Sequence, residues 1–440
     1  MRHPSPPTFR IPDHAHHLVY ALIRPLGRWG VRLWHRLDTR VIGSEWLKDE
    51  GDPPPARLLF GGHQNGLADP LIACVSLRPQ LHFFTRADVF RSPLYRWLLL
   101  RMNMMPIYRP KDKVADMADR NRVTFSRAHD RLEKGATCGI FPEAGHRDQR
   151  RIRRFRHGSA RFIAGALQRP EVQKRGLEIL PMSLDFERYA GYRTGARIRI
   201  GSPIGYVDIP GLDQDTGSAR VQLSERMHTA LVNQSVHLAE GELYDAHLAV
   251  HRFLEGAMGR VPRHVIADAE SALAQQAEEA TSSFDAVCSR GMGHPRETDD
   301  FAAAGRIASG NTTSLSSLAW RWPAWAVFFL TCGIWPRVME RAAARRVNQV
   351  AFRTTFSIPL TMMAVILTWL VISLGAGVAL GKPWVVPLVF MGLRGAQFLA
   401  MPLEDALMDA RAERKVASLV SDPFIQNHCV PALGCSCNVT

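Results

Sequence analysis

The chain has 440 residues, of which 46% are hydrophobic, and a formal net charge of +14 at pH 7. This length and apolar content exclude global disorder and leave room for a globular domain with appendages. The positive charge predicts an anionic partner, which can be nucleic acid, a phospholipid surface or a phosphorylated small molecule. The seven cysteines have no regular spacing and the N-terminal segment lacks the apolar core of a secretory signal, so we expect the globular part to lie in a reducing cytoplasm.

An amphipathic helix is predicted in the N-terminal segment, residues 1–38. Between His17 and Leu37, leucine and tryptophan recur at steps of three and four residues, and arginines are interleaved on another face. Such a helix can lie in the interface of a membrane that carries anionic lipid. It can equally pack on its own domain and leave its arginines in solvent, and the sequence does not choose between the two.

Strands and helices alternate through the next segment, residues 39–210. After a short strand at 41–47, apolar periodicity and turn residues predict further strands at 57–61, 81–86, 105–109, 137–141 and 177–184, and helices at 70–77, 91–102, 115–134 and 158–168. Apolar and charged residues alternate from 196 to 200, which predicts a half-exposed edge strand. The pattern indicates an α/β domain with a largely parallel central sheet flanked by helices.

Polar residues follow three of the predicted strands. His63 comes directly after one strand, with Asp69 across a glycine-containing turn, and such a pair can act as a general base and the group that orients it. Arg109 ends a second strand and Glu143 follows a third. Open α/β sheets bind ligands at the carboxyl ends of their strands, so we expect His63, Arg109 and Glu143 to share one site. A histidine and an aspartate at this spacing also occur by chance about once in a chain of this length.

Four blocks resemble, in order, the motifs of the glycerolipid acyltransferases, the PlsC-like family that acylates glycerol phosphate and lysophosphatidate. The blocks are His63 with Asp69, Pro106-Ile107-Tyr108-Arg109, Phe141-Pro142-Glu143-Ala144-Gly145-His146-Arg147 and Ile179-Leu180-Pro181-Met182. The resemblance departs from the commonest family pattern at several points. Five residues separate His63 from Asp69 where four are usual, Gly62 replaces an asparagine, and Ala144 replaces a glycine.

The resemblance implies transfer of a fatty acyl group to glycerol 3-phosphate or lysophosphatidate in phospholipid biosynthesis. Acyl-CoA or acyl carrier protein would be the donor, and no resident cofactor or metal is expected. His63 would be the general base and Asp69 its partner, while Arg109, Glu143, Gly145 and Arg147 would bind substrate. The chemistry agrees, because the pKa of histidine lies near neutrality and the arginine fork suits phosphate.

Two other functions stay open at this point. A basic membrane-binding protein could keep the same fold without catalysing a reaction. A metal-dependent hydrolase is less favoured, since His63 and Asp69 have no further clustered ligands in the sequence.

The arginine-rich run at 147–156 has two interpretations. It can be a solvated loop, or it can receive anionic headgroups or the phosphates of coenzyme A. Nucleic acid is not an expected partner, because Phe155 is the one aromatic residue in the run.

The sequence of the C-terminal half predicts mainly helices, and its apolar stretches predict membrane lipid as a partner. Residues 211–315 form an alanine-rich helical extension, and residues 316–405 contain apolar stretches at 318–335, 355–380 and 383–403. The second stretch is long enough to cross a bilayer, whereas the third holds Arg394, which is costly in lipid.

Arginines before the second stretch favour a cytoplasmic position for that part of the chain. We expect a hairpin that turns near Gly381, the stretch 318–335 in the membrane interface, and the α/β domain on the cytoplasmic face. A pair of buried core helices is the alternative. Residues 406–440 are expected to be an unstructured tail that contains Cys429, Cys435 and Cys437.

Overall fold

The computed structural model describes residues 11–12, 17–37, 41–49, 52–66, 68–143, 149–259, 261 and 263–434. Within them a seven-stranded sheet lies at the centre of the N-terminal half. Its strands are β1 (His35–Leu37), β2 (Ala56–Gly61), β3 (Leu81–Arg86), β4 (Met105–Ile107), β5 (Thr137–Ile140), β6 (Leu177–Phe186) and β7 (Thr194–Ile200).

The strand order is β1-β7-β6-β2-β5-β3-β4. Strands β2 to β6 are parallel to one another, whereas β7 runs antiparallel to β6 and β1 runs parallel to β7. The prediction of a largely parallel sheet is therefore confirmed. Strand β2 is central, every one of its residues is buried, and His63 follows its carboxyl end.

Helices cover both faces of the sheet and make up most of the remaining chain. Those around the sheet are α1 (His17–Trp34), α2 (Ala68–Ser76), α3 (Pro93–Arg101), α4 (Met117–Leu132), α5 (Gly158–Leu167) and α6 (Pro170–Arg175). The helical extension holds α7 (Gly217–Gln234), α8 (Tyr244–Met258), α9 (Arg263–Gln275), α10 (Ala277–Ser289) and α11 (Asp300–Ala308). The C-terminal part holds α12 (Trp322–Phe328), α13 (Ile334–Arg346), α14 (Val350–Ala379), α15 (Val385–Val416) and α16 (Val430–Gly434).

The side chains of β2 point alternately into two separate hydrophobic cores, one on each face of the sheet. Leu58 and Phe60 pack with α4, α5 and α7 on one face of the sheet. Leu59 packs with α1 and α2 on the other face. This is why the strand reads as a continuous apolar run, as expected for a parallel strand that is covered on both sides.

The strands predicted from 57 to 184 and the four helices between them are confirmed to within two residues at each end. Two neighbouring predictions are wrong. Residues 44–47 form a 3-10 helix, and Ile42 makes only an isolated bridge to Arg199. Strand β7 alternates as predicted, yet it is not the edge, because the short β1 pairs with its outer side.

Helix α1 is buried mainly in its C-terminal half, where five of its six buried residues lie. Tyr20 and Val31 pack toward α2, while Trp29 and Leu33 pack against α12, α14 and α15. One of its arginines, Arg24, donates to carbonyls just past the end of α2, and Arg36 in the adjoining β1 pairs with Asp409. A row of exposed leucines remains at one edge of the helix, formed by Leu18, Leu22 and Leu26.

Two helices are long and apolar enough to cross a membrane, Phe352–Ala379 and Val385–Leu419. Helices α14 and α15 pack against each other, and Gly381 adopts a left-handed φ of 62° in the turn between them. Arg394 lies over the ring of Trp29 and donates to Gln397, which also accepts from the Trp29 indole. We call residues 350–401 the apolar hairpin.

The second half of α15 is acidic and attaches the hairpin to the rest of the chain. Asp405 receives two hydrogen bonds of 2.6 and 2.7 Å from the Arg193 guanidinium. Asp409 pairs with Arg36 at 2.7 Å. Further along, Glu413 pairs with Arg306 of α11. The helix therefore continues through the predicted boundary at residue 405 to Val416.

The expectation of an unstructured tail is wrong for the described part of it. Residues 425–434 are helical, and Cys429 is buried in a core shared with α8, α10 and α11. Phe424 packs edge-to-face against Phe284 and Phe301 of the helical extension. Cys435 and Cys437 lie outside the described residues.

Candidate active site

His63 and Asp69 meet at the carboxyl end of β2. The imidazole Nδ1 lies 2.9 Å from Asp69 Oδ2. The Asp69 side chain is fully buried, whereas the His63 side chain is 20% exposed. The carboxylate is thus shielded from water while the imidazole reaches the surface, as a base that must contact a substrate requires.

Asp69 is held by more than the histidine. The backbone N–H groups of Gln64 and Asn65 each donate to Asp69 Oδ2 at 2.9 Å. The carboxylate also lies in the first turn of α2, where the helix dipole favours a negative charge. The turn at Asn65 and Gly66, with a left-handed Gly66 φ of 48°, takes up the additional residue between His63 and Asp69.

Glu143 joins this pair from the neighbouring strand, β5. Its Oε1 accepts a 3.0 Å hydrogen bond from the His63 backbone N–H, and its Oε2 accepts one of 3.1 Å from Arg153 Nε. Burial raises the pKa of the Glu143 carboxyl, while the hydrogen bonds from His63 and Arg153 act in the opposite direction. Glu143 therefore fixes the backbone of the histidine and holds an arginine in the cleft.

The side chains around His63 restrict its orientation. Its ring stacks on Phe141 at 4.6 Å, and Phe141 stacks in turn on Phe83 at 5.4 Å. The absence of a side chain at Gly62 has a steric reason. A Cβ there would lie 2.7 Å from Ile152 Cδ1 and 3.2 Å from Glu143 Oε1, so a larger residue would force the buried Ile152 side chain to move.

A cleft opens beside the imidazole. The described residues that line it include His63 and Glu143 together with residues not singled out in the sequence, namely Gln64, Gln149, Arg151, Arg153 and Glu240. Arg151 pairs with Glu240 at 3.2 Å. Arg153 keeps its Nη2 without a partner among the described residues. In the sequence, only the basic run at 147–156 indicated these arginines, and it did not show which of its residues face the cleft.

The basic run is not a solvated loop in its described part. Arg150 is buried and donates to the carbonyls of Phe186 and Glu187. Ile152 and Phe155 are buried as well, whereas Arg154 and Arg156 are exposed. Buried and exposed side chains thus alternate in this segment. The buried ones pack between the sheet and the helical extension, and the exposed ones are arginines that face solvent.

Arg109 does not join the cleft. Strand β4 is three positions from β2 in the sheet, which corresponds to about 14 Å at the usual strand spacing. The Arg109 guanidinium pairs with Asp112 at 3.3 Å and with Asp88 at 3.5 Å. The expectation of one compact site is therefore wrong for this residue, although it lies at the same edge of the sheet. Gly145 and Arg147 lie outside the described residues.

Comparison with known proteins places these features in a family. The acyltransferase family model matches residues 49–185. The crystal structure of the 1-acyl-sn-glycerophosphate (LPA) acyltransferase PlsC from Thermotoga maritima is similar, with 17% identity and a TM-score of 0.32 over 47% of this chain and 79% of that one. No curated protein matches the chain. The matched residues contain all four blocks, and this part of the chain, residues 49–185, is an acyltransferase domain.

Proposed function

We propose that the protein transfers a fatty acyl group from acyl-CoA or acyl carrier protein to the hydroxyl of glycerol 3-phosphate or lysophosphatidate. The observation that carries the proposal is the buried Asp69 carboxylate against a partly exposed His63 imidazole at the mouth of a cleft. A hydrogen bond from Nδ1–H to Asp69 selects the tautomer in which the Nε2 lone pair acts as the base. Its negative charge also stabilises the imidazolium that forms.

The reaction then needs no covalent enzyme intermediate. His63 Nε2 takes the proton of the acceptor hydroxyl as the oxygen attacks the thioester carbonyl. The carbon–sulfur bond breaks, and the thiolate leaves with the proton that the imidazolium returns. Arg153 lines the cleft, and its guanidinium is suited to the phosphate of the acceptor. Gly145 and Arg147 stay candidates for the same task from the sequence resemblance.

Release of free thiol tests this proposal. The full chain in lipid nanodiscs is given acyl-CoA or acyl carrier protein, with glycerol 3-phosphate or lysophosphatidate as acceptor. We expect acceptor-dependent thiol release that His63→Ala lowers by roughly 10²- to 10⁴-fold, the range for loss of a general base. His157→Ala, at an exposed histidine, is the matched control. A wild-type chain that binds membranes without releasing thiol would favour the non-catalytic alternative.

We further propose that the apolar hairpin spans the bilayer and holds the catalytic domain on its cytoplasmic face. From residue 360 to residue 380, α14 rises about 30 Å, which matches the hydrocarbon thickness. Large apolar side chains are exposed along this length, including Leu367, Val371 and Val378. Lys382 in the turn is the one charged residue between Arg353 and Arg394.

Other exposed apolar residues support the same orientation. Helices α1, α2 and α3 cover the sheet face that packs with α14. On that face, Leu94, Tyr95 and Trp97 of α3 are exposed, as is the leucine row of α1. These side chains are suited to insertion at the membrane interface, where aromatic rings and leucines are stabilised beside basic residues.

Labelling of a single cysteine at position 382 tests the topology. In a chain that lacks its seven native cysteines, Lys382→Cys should react with an impermeant maleimide added outside spheroplasts. A cysteine at the exposed Arg154 should react only after lysis. Reaction of position 382 only from the cytoplasmic side would show that the hairpin does not span.

A further inference from the structure

The turn between His63 and Asp69 is held from outside by one residue, Tyr189. The Asn65 side chain donates from Nδ2 to the Tyr189 carbonyl at 2.7 Å, and the Tyr189 hydroxyl donates toward Gln64 Oε1 at 3.4 Å. Tyr189 lies in the connection between β6 and β7, beyond the residues that match the acyltransferase family. A segment outside the matched residues therefore contacts both residues that follow His63.

Asn65 links Tyr189 to the Asp69 carboxylate. It is fully buried, and its backbone N–H donates to Asp69 Oδ2 at 2.9 Å. Because a carbonyl oxygen only accepts, the Asn65 atom that meets the Tyr189 carbonyl is the amide nitrogen. The amide oxygen has no partner among the described residues, so the bond to Tyr189 is the one that fixes this side chain in the protein interior.

The position of the Asp69 carboxylate depends on the same turn. Its three hydrogen bonds within the described residues come from the His63 imidazole and from the backbone of Gln64 and Asn65, and all of them reach Oδ2. Oδ1 is buried and has no partner in the described part of the chain. The carboxylate would therefore follow any shift of the turn.

The apolar hairpin supplies a second bond to the Tyr189 carbonyl. Thr354, near the start of α14, is fully buried and donates from Oγ1 to this carbonyl at 3.0 Å. A carbonyl oxygen has two lone pairs, and this one accepts once from Asn65 and once from Thr354. Three consecutive hydrogen bonds of 3.0, 2.7 and 2.9 Å thus connect α14 to the carboxylate of Asp69.

Small displacements of this carboxylate matter for proton transfer. Asp69 has to keep the imidazole in the tautomer and direction that a base needs. A misplacement of about 1 Å can lower a rate by about 100-fold. The connection from α14 restricts such movement through the backbone of the turn.

We propose that Asn65 is a positioning residue for the pair of His63 and Asp69, and that Thr354 holds it in place through the Tyr189 carbonyl. We call Thr354, the Tyr189 carbonyl and Asn65 the tether. The apolar hairpin then contributes to the geometry of the base as well as to the attachment of the chain. The inference rests on the proposed acyl transfer with His63 as the base.

Thiol release in nanodiscs measures the effect of the tether on turnover. Thr354→Val removes the hydroxyl donor and keeps the shape of the side chain, whereas Thr354→Ser keeps the donor. We expect Thr354→Val to lower kcat by about tenfold and to leave the KM for the acceptor within about twofold, while Thr354→Ser retains most of kcat. Asn65→Ala should lower kcat by up to about 100-fold.

Thr361→Val is the matched control on the same helix. Thr361 is 1% exposed, and its hydroxyl has no partner among the described residues. The substitution makes the same chemical change at a similarly buried site but removes no bond of the tether, so kcat should stay at the wild-type level. An equal fall of kcat in Thr361→Val and Thr354→Val would overturn the proposal, because both would then act through general packing of α14.

Hydrogen exchange gives a readout that needs no turnover. The peptide 62–69 contains the Gln64 and Asn65 amides that donate to Asp69. Asn65→Ala and Thr354→Val should raise the exchange rate of this peptide, whereas Thr361→Val should leave it unchanged. Unchanged exchange in both tether variants would also overturn the proposal.

A double substitution tests whether the two residues act through one path. Asn65→Ala combined with Thr354→Val should lower kcat no further than Asn65→Ala alone, because the path is already broken. Multiplied effects would show that the two residues act independently. Wild-type turnover of His63→Ala would contradict the proposed base, yet faster exchange in Thr354→Val would still support the tether, so the two proposals fail in different ways.

Discussion

At the scale of single residues, Asp69 has two tasks that a substitution cannot separate fully. One oxygen accepts from the imidazole and from two backbone N–H groups. It therefore sets the shape of the turn as well as the electrostatics around the proposed base, His63. His63, by contrast, is partly exposed and contributes little packing beyond its stacking on Phe141.

This asymmetry predicts different results for the two substitutions. His63→Ala should abolish transfer and leave the free energy of unfolding nearly unchanged. Asp69→Asn should leave more activity, because the base is still present, yet it should cost about 1–3 kcal/mol of stability, since an amide presents donors where this site supplies only donors. Turnover and denaturant unfolding measured on both variants check this. Near wild-type turnover of His63→Ala would eliminate it as the base.

Arg153 is the residue whose role the structure changes most. It donates a hydrogen bond to Glu143 and lines the cleft. Arg153→Gln should raise the KM for the acceptor more than it lowers kcat, provided the phosphate is held equally in ground and transition states. The neighbouring exposed Arg154→Gln is the control. A fall in kcat at unchanged KM would argue against a phosphate contact.

Sequence reasoning found the chemistry of the cleft but not its full composition. His63 and Glu143 were predictable because each follows a strand end, and parallel strands deliver such residues to one edge. Asp69 was predictable from its spacing to His63 across the turn. Arg109 also follows a strand, yet it lies away from the cleft. The position after a parallel strand predicts the edge of the sheet at which a residue lies, but it does not predict the order of the strands along that edge. Arg151 and Arg153 could not be told apart from their neighbours in the basic run at 147–156. Which side chains of the run are buried depends on contacts with the helical extension, which is distant in sequence.

At the scale of elements, α15 combines two chemically different halves. Its first half belongs to the apolar hairpin, and its second half supplies carboxylates to Arg193, Arg36 and Arg306. These ion pairs join segments that are remote in sequence, so periodicity alone could not predict them. The same cause explains the wrong expectation for residues 425–434, whose buried face has its partners in α8 and α11.

Removal of one carboxylate should loosen this attachment. Asp405→Ala leaves the Arg193 guanidinium, which is almost fully buried, without a counter-ion, and such losses cost about 3–5 kcal/mol. We expect a lower Tm in detergent and easier proteolysis between the catalytic domain and the hairpin. Asp119→Ala, at an exposed carboxylate of α4, should leave both unchanged. An unaltered Tm for Asp405→Ala would show that the pair does not stabilise the junction.

At the scale of the whole molecule, buried histidines tie stability to pH. Burial is the main cause that lowers the pKa of His35, His82 and His251 to about 3 each. Below pH 6.5 these histidines therefore bind protons in the unfolded chain and stay neutral in the folded chain. Stability should fall as the pH drops from 6.5, by about 1.4 kcal/mol per pH unit for each histidine.

The slope of stability against pH checks this prediction. Unfolding measured between pH 7.5 and 5 should steepen below 6.5. His82→Gln should reduce the slope by about one proton, since glutamine can still accept from Arg131 without titrating. A flat profile would mean that these histidines are protonated in the folded protein.

The continuity of α15 constrains how the length of the hairpin can vary. One inserted residue turns a helix by about 100°, and would carry Asp405 and Asp409 away from Arg193 and Arg36. Seven inserted residues turn it by about two full revolutions and lengthen it by about 10 Å. The ion pairs therefore fix the rotation of α15 about its axis. Residues can be inserted or removed without breaking them only in numbers close to a whole number of helical turns. If the hairpin spans the bilayer as proposed, related chains in bilayers of different thickness would differ in hairpin length by heptads, with the cleft of His63 kept at one height above the lipid.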